Sequence, residues 1–364
     1  MSTALVIGGT GPTGPHVVNG LLERGYTVAI LHSGRHESDL VPDHVEHIHT
    51  DAFDIDAVSA ALQDRTFDIV LAMYGRLRDL AVFLAGRCDR VISIGGVPVY
   101  RGFGWPESRH PEGMALPTRE DAPRAVPEDN PKVVKMVQTE DVLFQHHPSA
   151  THLRYPRLYG PAQVVPKEWS IIRRLRDGRR RFILPDGGLT VFTMAYSLNA
   201  AAAVLCAVDR PDAAAGHCVN VSDEHAVTIG QWIQLLAGGL GLEVEIISLP
   251  WELARPAYPL YESTEHHRLL STELLRGGLG YRDVLPVEEA LPLTARWLEQ
   301  NPLDEGSITE RALQDPFNYE AEDRLIDAWD RARKDLLPAA EAADPGYVDR
   351  YSHTSRDASL GLER

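Results

Sequence analysis

Short apolar runs alternate with amphipathic stretches along the first 160 residues. Ala4-Leu5-Val6-Ile7 is apolar at every position, as expected of a strand buried on both faces. A glycine-rich turn follows it, and His16-Val17-Val18-Asn19-Gly20-Leu21-Leu22 then has helical spacing. Further strands are predicted over 26–31, 44–49, 67–73, 90–94 and 150–158. Helices are predicted over 55–63, 77–86 and 132–145. Alternation of this kind implies a parallel sheet with right-handed crossovers, an α/β doubly wound fold of Rossmann type. Residues 101–130 are rich in Pro, Gly and charge and read as a long loop over the sheet. After Gly160 the pattern breaks into short pieces. The expected organisation is a dinucleotide-binding lobe over 1–160, a smaller lobe, mainly for substrate, over 161–302, and a C-terminal extension over 303–364. Within that extension Leu325, Ile326, Trp329 and Leu336 mark an amphipathic helix over 320–336. The polar end is expected to be mobile or held at an interface.

Composition narrows the class. With 364 residues, 44% of them apolar, the chain is long enough for one large core or two lobes. A net charge of -16 argues against nucleic acid and anionic membrane as partners. No stretch approaches the ~20 apolar residues of a spanning helix, and the N-terminus enters a strand without a signal-peptide pattern. Cys88, Cys206 and Cys218 are dispersed and odd in number. These features together lead to the expectation of a cytoplasmic protein.

The first turn carries the clearest chemistry. Gly8, Thr10, Gly11, Pro12, Thr13 and Gly14 lie between a strand and a helix, where glycines let the backbone approach a pyrophosphate at the helix N-terminus. Pro12 suits a first helical position, whereas Pro15 removes a further backbone donor. Strand two ends in Leu31-His32-Ser33-Gly34-Arg35, without the acid that usually binds an NAD ribose. Ser33 and Arg35 are suited to a 2′-phosphate, so NADP is expected over NAD. Asp51, with Ala52, is placed for the adenine; alternatively Asp51 caps the next helix.

The turn, Val91-Ile92-Ser93-Ile94-Gly95-Gly96-Val97-Pro98-Val99-Tyr100, Leu116-Pro117-Thr118-Arg119-Glu120-Asp121 and Leu153-Arg154-Tyr155-Pro156-Arg157-Leu158-Tyr159-Gly160-Pro161 occur in this order. Gly216–Val221 and Thr228–Gln231 add later matches. Over roughly residues 3–300 the chain resembles the extended short-chain dehydrogenase/reductases, the NAD-dependent epimerase/dehydratase family. The resemblance implies a Ser or Thr, a Tyr and a Lys as the proton-transfer set. The hydroxyl position, four before Tyr100, is Gly96. Lys135 fits the lysine, but Pro131 stands four before it, and no tyrosine lies between Tyr100 and Tyr155. Asn199 stands where the family often has Asp.

The resemblance therefore implies an NAD(P)-dependent oxidoreductase with a non-standard catalytic set. Its expected substrate bears a hydroxyl or carbonyl and is a sugar or natural-product intermediate. Tyr74 and Tyr155, with Lys135, are the expected catalytic groups and also face the cofactor; Tyr159 is a further candidate. Gly96, Tyr100, Arg157, Lys167 and Trp169 are expected at the substrate, as are Arg154 and Arg268. A homodimer through helices 77–86 and 132–145 is implied by the same resemblance. A non-redox isomerase or lyase and a nucleotide-binding regulator or scaffold are the alternative readings. His44, His47 and His49 lie close in sequence, but no regular spacing completes a ligand set, and no metal is expected.

Overall fold

The computed structural model describes residues 2–35, 37–73, 75–261 and 266–347. Five strands, β1 (Thr3–Ile7), β2 (Thr27–His32), β3 (Glu46–His49), β4 (Phe67–Ala72) and β5 (Cys88–Gly96), open the chain. Helices α1 (Gly14–Glu23), α2 (Ile55–Leu62) and α3 (Leu77–Leu84) are set among them. Next come α4 (Pro131–His146), β6 (Thr151–Tyr155) and β7 (Arg157–Tyr159). These elements coincide with the predicted ones to within a few residues. Strand 150–158 is the exception, because it breaks at Pro156 into β6 and β7.

The remainder contains α5 (Trp169–Arg176), β8 (Arg181–Pro185), β9 (Val191–Phe192), β10 (Met194–Tyr196), α6 (Ser197–Asp209) and α7 (Pro211–Ala214). It continues with β11 (Cys218–Asn220), β12 (Val227–Thr228), α8 (Ile229–Gly239), β13 (Glu245–Leu249), α9 (Tyr258–Tyr261), α10 (Val287–Gln300) and α11 (Ile308–Ala312). The chain forms two compact units that divide after Phe317. The second unit holds α12 (Tyr319–Ala342), where Asn318 caps the first turn by accepting from Ala321 N.

Seven strands form one parallel sheet in the order β11-β6-β5-β4-β1-β2-β3. Its central strands are apolar on both faces because each face is covered. Val6, Ile30, Ile69 and Ile92 pack with α1 and α6, and Leu5, Leu31 and Val70 with α2 and α3. Local chemistry fixes the helix starts. Asp54, rather than Asp51, caps α2 by accepting from Asp56 N and Ala57 N. Thr228 and Gln231 form a reciprocal capping box on α8. Pro15, rather than Pro12, occupies the first turn of α1. Trp169, Trp232, Phe182, Tyr261 and Leu291 belong to a second core, built after Gly160. Residues 218–220 return from this part of the chain to edge the main sheet.

Asp223 joins the two cores. Its Oδ2 accepts from the Tyr159 hydroxyl at 2.7 Å, and its Oδ1 accepts from Tyr196 N and Asn199 Nδ2 at 3.0 and 2.8 Å. Asn199 also donates to Leu285 O and accepts from Val284 N and Leu285 N. Asn199 and Tyr159 thus bind the fold together at this junction. Burial pushes the Asp223 carboxyl up to about 6, against the hydrogen bonds that lower it.

A folded pKa above the unfolded one means that the folded chain holds the proton longer. This stabilisation is present below about pH 4 and is lost as pH rises through about 6. In Asp223→Asn the amide oxygen keeps the Oδ1 bonds and the amide nitrogen donates to Tyr159. Urea unfolding of this variant should show a stability advantage over the native chain at pH 7. That advantage should shrink by on the order of 2 kcal/mol towards pH 4. A pH-independent difference would show that Asp223 ionises normally in the fold.

Candidate functional site

The carboxyl ends of β1, β4, β5 and β6 meet at one edge of the sheet. At the β1 end the glycine turn is set by Gly8 N donating to Leu31 O, Thr10 N to Gly8 O and Gly14 N to Gly11 O. Gly8 has φ +97°, a conformation that favours glycine. A Cβ on Gly14 would lie 2.4 Å from the Gly9 carbonyl, so helix and turn touch there. A Cβ on Gly11 would meet nothing within 4 Å. The approach to the turn is therefore open over Gly11 and closed behind Gly14, as a cradle for a pyrophosphate requires. Thr13 is buried, and Thr10 and Pro12 are half-buried.

Ser33 and Arg35 are exposed beyond β2, with Arg35 N donating to Ser33 Oγ at 3.4 Å. Asp51 is exposed and accepts from Phe53 N. Ala52 is buried and its carbonyl accepts from Arg76 N. These residues would hold the adenosine end of a dinucleotide, and Gly8–Gly14 its phosphates. When bound, a nicotinamide dinucleotide supplies or takes up a hydride.

A cavity of about 270 Å³ opens at the β5 end, lined by Gly75–Arg78, Ile94, Gly95, Gly96, Met136, Thr139, Glu140 and His152. Strand alternation turns Ser93, Gly95, His152 and Arg154 towards α4 and turns Leu153 and Tyr155 towards α6. Ser93 Oγ lies 2.8 Å from His152 Nδ1, and His152 Nε2 lies 3.6 Å from Glu140 Oε1. Glu140 accepts from Arg154 Nε and Nη2 at 2.7 and 2.8 Å and from Arg124 Nη1 at 3.0 Å. Burial pushes the Glu140 carboxyl up, but Arg154, His152 and Arg124 together outweigh it and hold the group below its ordinary pKa. Burial lowers His152 to about 4, despite the pull of Glu140, so the imidazole is neutral at pH 7. A Cβ on Gly95 would fall 2.2 Å from His152 Nε2. Glycine at 95 is what lets this imidazole rise to the cavity floor.

Several expected site residues are placed elsewhere. Tyr155 lies on the α6 side of the sheet, opposite the cavity, and its hydroxyl donates to Ala200 O at 2.9 Å. Burial pushes its pKa far up, and Tyr155 packs in the core. Tyr159 is committed to Asp223. Lys135 is exposed, one position round the helix from the cavity, and Met136 takes the place expected of it. Met136 Cε would lie 3.1 Å from a Cβ on Gly96.

Tyr100 is a buried strut rather than a substrate contact. Its hydroxyl donates to Asn220 Oδ1 at 2.6 Å and accepts from Arg154 Nη1 at 2.7 Å. Trp169 likewise belongs to the second core, where Nε1 donates to Glu310 Oε1 at 2.9 Å. Arg157 is packed between Phe192 and Trp232 and donates to Leu260 O. Lys167 donates to Pro259 O. Arg154 and Arg268 are buried and structural. Gly96 alone of the expected substrate set lines the cavity. Tyr74 lies outside the described residues.

Ser93, Glu140 and His152 went unnoticed in the sequence. The signal available was β6 itself: Thr-His-Leu-Arg-Tyr places a His and an Arg in a strand that is buried on both faces.

Gly11→Leu should leave thermal unfolding unchanged, because its side chain enters open space, and should abolish NADPH binding in calorimetry. Gly14→Ala should lower both stability and binding, because its Cβ meets backbone. Lys135→Met should leave NADPH affinity unchanged. Tight NADPH binding by Gly11→Leu would place the phosphates elsewhere.

Residues 4–80 match the sequence model of the NAD dependent epimerase/dehydratase family. The 3-diazoavenalumate denitrifying reductase of Streptomyces sp is 24% identical over 254 residues, which are 65% of this chain and 81% of that protein. The crystal structure of a UDP-galactose 4-epimerase superposes with a TM-score of 0.62 at 19% identity, covering 83% of this chain and all (100%) of that one. The enzyme WbmH of Bordetella bronchiseptica, solved in complex with NAD+, gives 0.64 at 18% identity over 83% of this chain and 100% of its own. The dTDP-glucose 4,6-dehydratase of Bacillus anthracis str. Ames, in complex with NAD, gives 0.61 at 14% identity, covering 83% and 97%. Residues 4–80 thus carry the sequence pattern of the NAD dependent epimerase/dehydratase family, and the chain shares the fold of the epimerase and dehydratase structures.

Proposed function

We propose that the chain is a nicotinamide-dinucleotide-dependent reductase of a small metabolite, using NADP(H) in preference to NAD(H). We further propose that its hydride acceptor requires no proton from the protein. The observation that carries this reading is the floor of the cavity. Gly96 stands where the family resemblance calls for a hydroxyl, and Met136, not Lys135, lines the cavity.

Reduction of a carbonyl leaves an alkoxide, whose protonation an enzyme normally assists by ~10²–10⁴-fold. Neither Tyr155 nor Tyr159 is free to assist, and His152 is neutral and buried. A diazonium carbon makes no such demand. Hydride forms the C–H bond, the C–N bond breaks, and its electron pair leaves with dinitrogen. The name of the Streptomyces relative describes a reductive loss of nitrogen from a diazo carboxylate. Arg76 and Arg78 at the cavity rim suit an anionic substrate of that kind. The NADP preference rests on Ser33 and Arg35 and on the lack of an acid directly after β2.

A homodimer through α3 and α4 goes with this reading. Val82 on α3 is 53% exposed, and Val134 and Val137 on α4 are half-buried. Val133 and Leu143 are buried within the chain and contribute no outer surface.

NADPH consumption should be measured with a panel containing a diazonium-bearing carboxylate, ketones and nucleotide sugars. Turnover of the diazonium compound with dinitrogen release, unchanged in Tyr74→Phe, is the expected outcome. Carbonyl reduction that falls by at least ~100-fold in Tyr74→Phe would instead make Tyr74 the acid. Tighter binding of NADH than of NADPH would exclude Ser33 and Arg35 as phosphate ligands.

A further inference from the structure

Three histidines and a glutamate converge at the β2–β3 edge, away from the cavity. His32 ends β2, His47 and His49 lie on β3, and Glu37 comes from the connection between the strands. Sequence spacing showed no complete set of ligands. The fold completes one, because Ile30 pairs with His47 and His32 with His49, placing all three rings on one face. Among the described residues of 33–45 none is helical, and Glu37 lies against the same face.

We propose that His32, Glu37, His47 and His49 form a zinc site that fastens this crossover to the sheet. The argument is geometric. Tetrahedral zinc with Zn–N of ~2.0–2.1 Å holds its ligand atoms about 3.3 Å apart. Here His32 Nε2 and His47 Nδ1 are 3.1 Å apart, and His47 Nδ1 and Glu37 Oε2 3.2 Å. His49 Nε2 and Glu37 Oε1 are 3.3 Å apart, and His32 Nε2 and Glu37 Oε1 3.8 Å. All four ligand atoms lie within 4.8 Å of one another. The rings are nearly perpendicular, at 73°, 88° and 86°, so they meet edge to face and none stacks on another.

Nitrogen and carboxylate ligands in a tetrahedral set favour zinc over calcium or magnesium. Four protein ligands leave no open position, as in structural rather than catalytic sites. His32 is buried, whereas His49 and Glu37 are half or more exposed, which gives the ion a route in. Gly34 N donates to His32 Nδ1 at 3.3 Å, leaving the His32 Nε2 proton for His47. Zinc takes the Nε2 lone pair and moves that proton to Nδ1, so the Gly34 amide must turn away. Gly34, at φ +71°, is a residue that can do so.

The test uses the untagged full-length chain, stripped with a chelator, reloaded with Zn²⁺ and desalted. Metal content by mass spectrometry should be about one ion per chain, as a closed four-ligand site predicts. Co²⁺ in place of Zn²⁺ should give the intense visible bands of a tetrahedral ion. His49→Ala and Glu37→Gln alter exposed side chains and should retain native circular dichroism. Each should lose most of the metal and the tetrahedral spectrum. His44→Ala, exposed nearby but outside the set, should keep both. Zn²⁺ should raise the melting temperature of the native chain and not that of His49→Ala. Failure of the native chain to retain zinc, an octahedral cobalt spectrum, or full retention in both variants would overturn the site.

Discussion

Arg154 is a cation built into a strand whose two faces are covered, and it is 2% exposed. Burying an unpaired guanidinium would cost several kcal/mol, so every direction it faces must be occupied by an acceptor. Glu140 reaches it from α4, Tyr100 from the end of β5, and the Glu120 carbonyl from the long loop. Asn220 on β11 closes the set through Tyr100. Removing one partner from such a buried pair typically costs about 3–5 kcal/mol, whereas surface pairs such as Arg24–Asp209 are worth about 0–1. Four separate stretches of chain are therefore held in register around one residue. One of them, α4, also lines the cavity, beside the end of β5.

The Glu140–Arg154 pair fixes the rotation of α4. With 3.6 residues per turn, the residue one turn before Glu140 faces the same way, and that residue is Met136. Lys135 is turned away by about 100°. Choosing the lysine from its residue type alone, without this rotation, misplaced it by one position. The same rotation sets a thioether against Gly96, so the two positions fit each other: a larger residue at 96 would crowd Met136.

The order of elements was legible because periodicity is a local property, and the glycine turn because Gly8 and Gly14 answer to their immediate neighbours. The capping of α2 by Asp54 and the placing of Pro15 in the first turn of α1 depended on single positions that the broad pattern does not resolve. Most of the candidate site was not legible. Tyr155, Tyr100 and Trp169 are aromatic residues near strand ends, where binding residues gather, and their sequence context is the same whether they face a cavity or a core. Strand parity decides the matter for Tyr155: with Arg154 turned to Glu140, its neighbour must face α6. The histidine cluster was hidden for a related reason. Its fourth ligand, Glu37, lies in a stretch with no periodicity, and only the pairing of β2 with β3 brings His32 alongside the others.

The cavity floor constrains the chemistry through what each polar group is already doing. Ser93 and His152 are bonded to each other beneath Gly95, and Glu140 is occupied by two arginines. His152, with a pKa near 4, holds no spare proton at pH 7, and protonating it would place a third cation beside Arg154 and Arg124. Glu140 is held ionised by those same arginines and has no proton to give. Among the described residues, this floor can shape and orient a substrate but is poorly equipped to protonate one. At its rim Arg76 and Arg78 carry the positive charge, Arg78 with a long bond of 3.4 Å to Gln138 Oε1. The proposed loss of dinitrogen would ask such a cavity for orientation and charge complementarity alone.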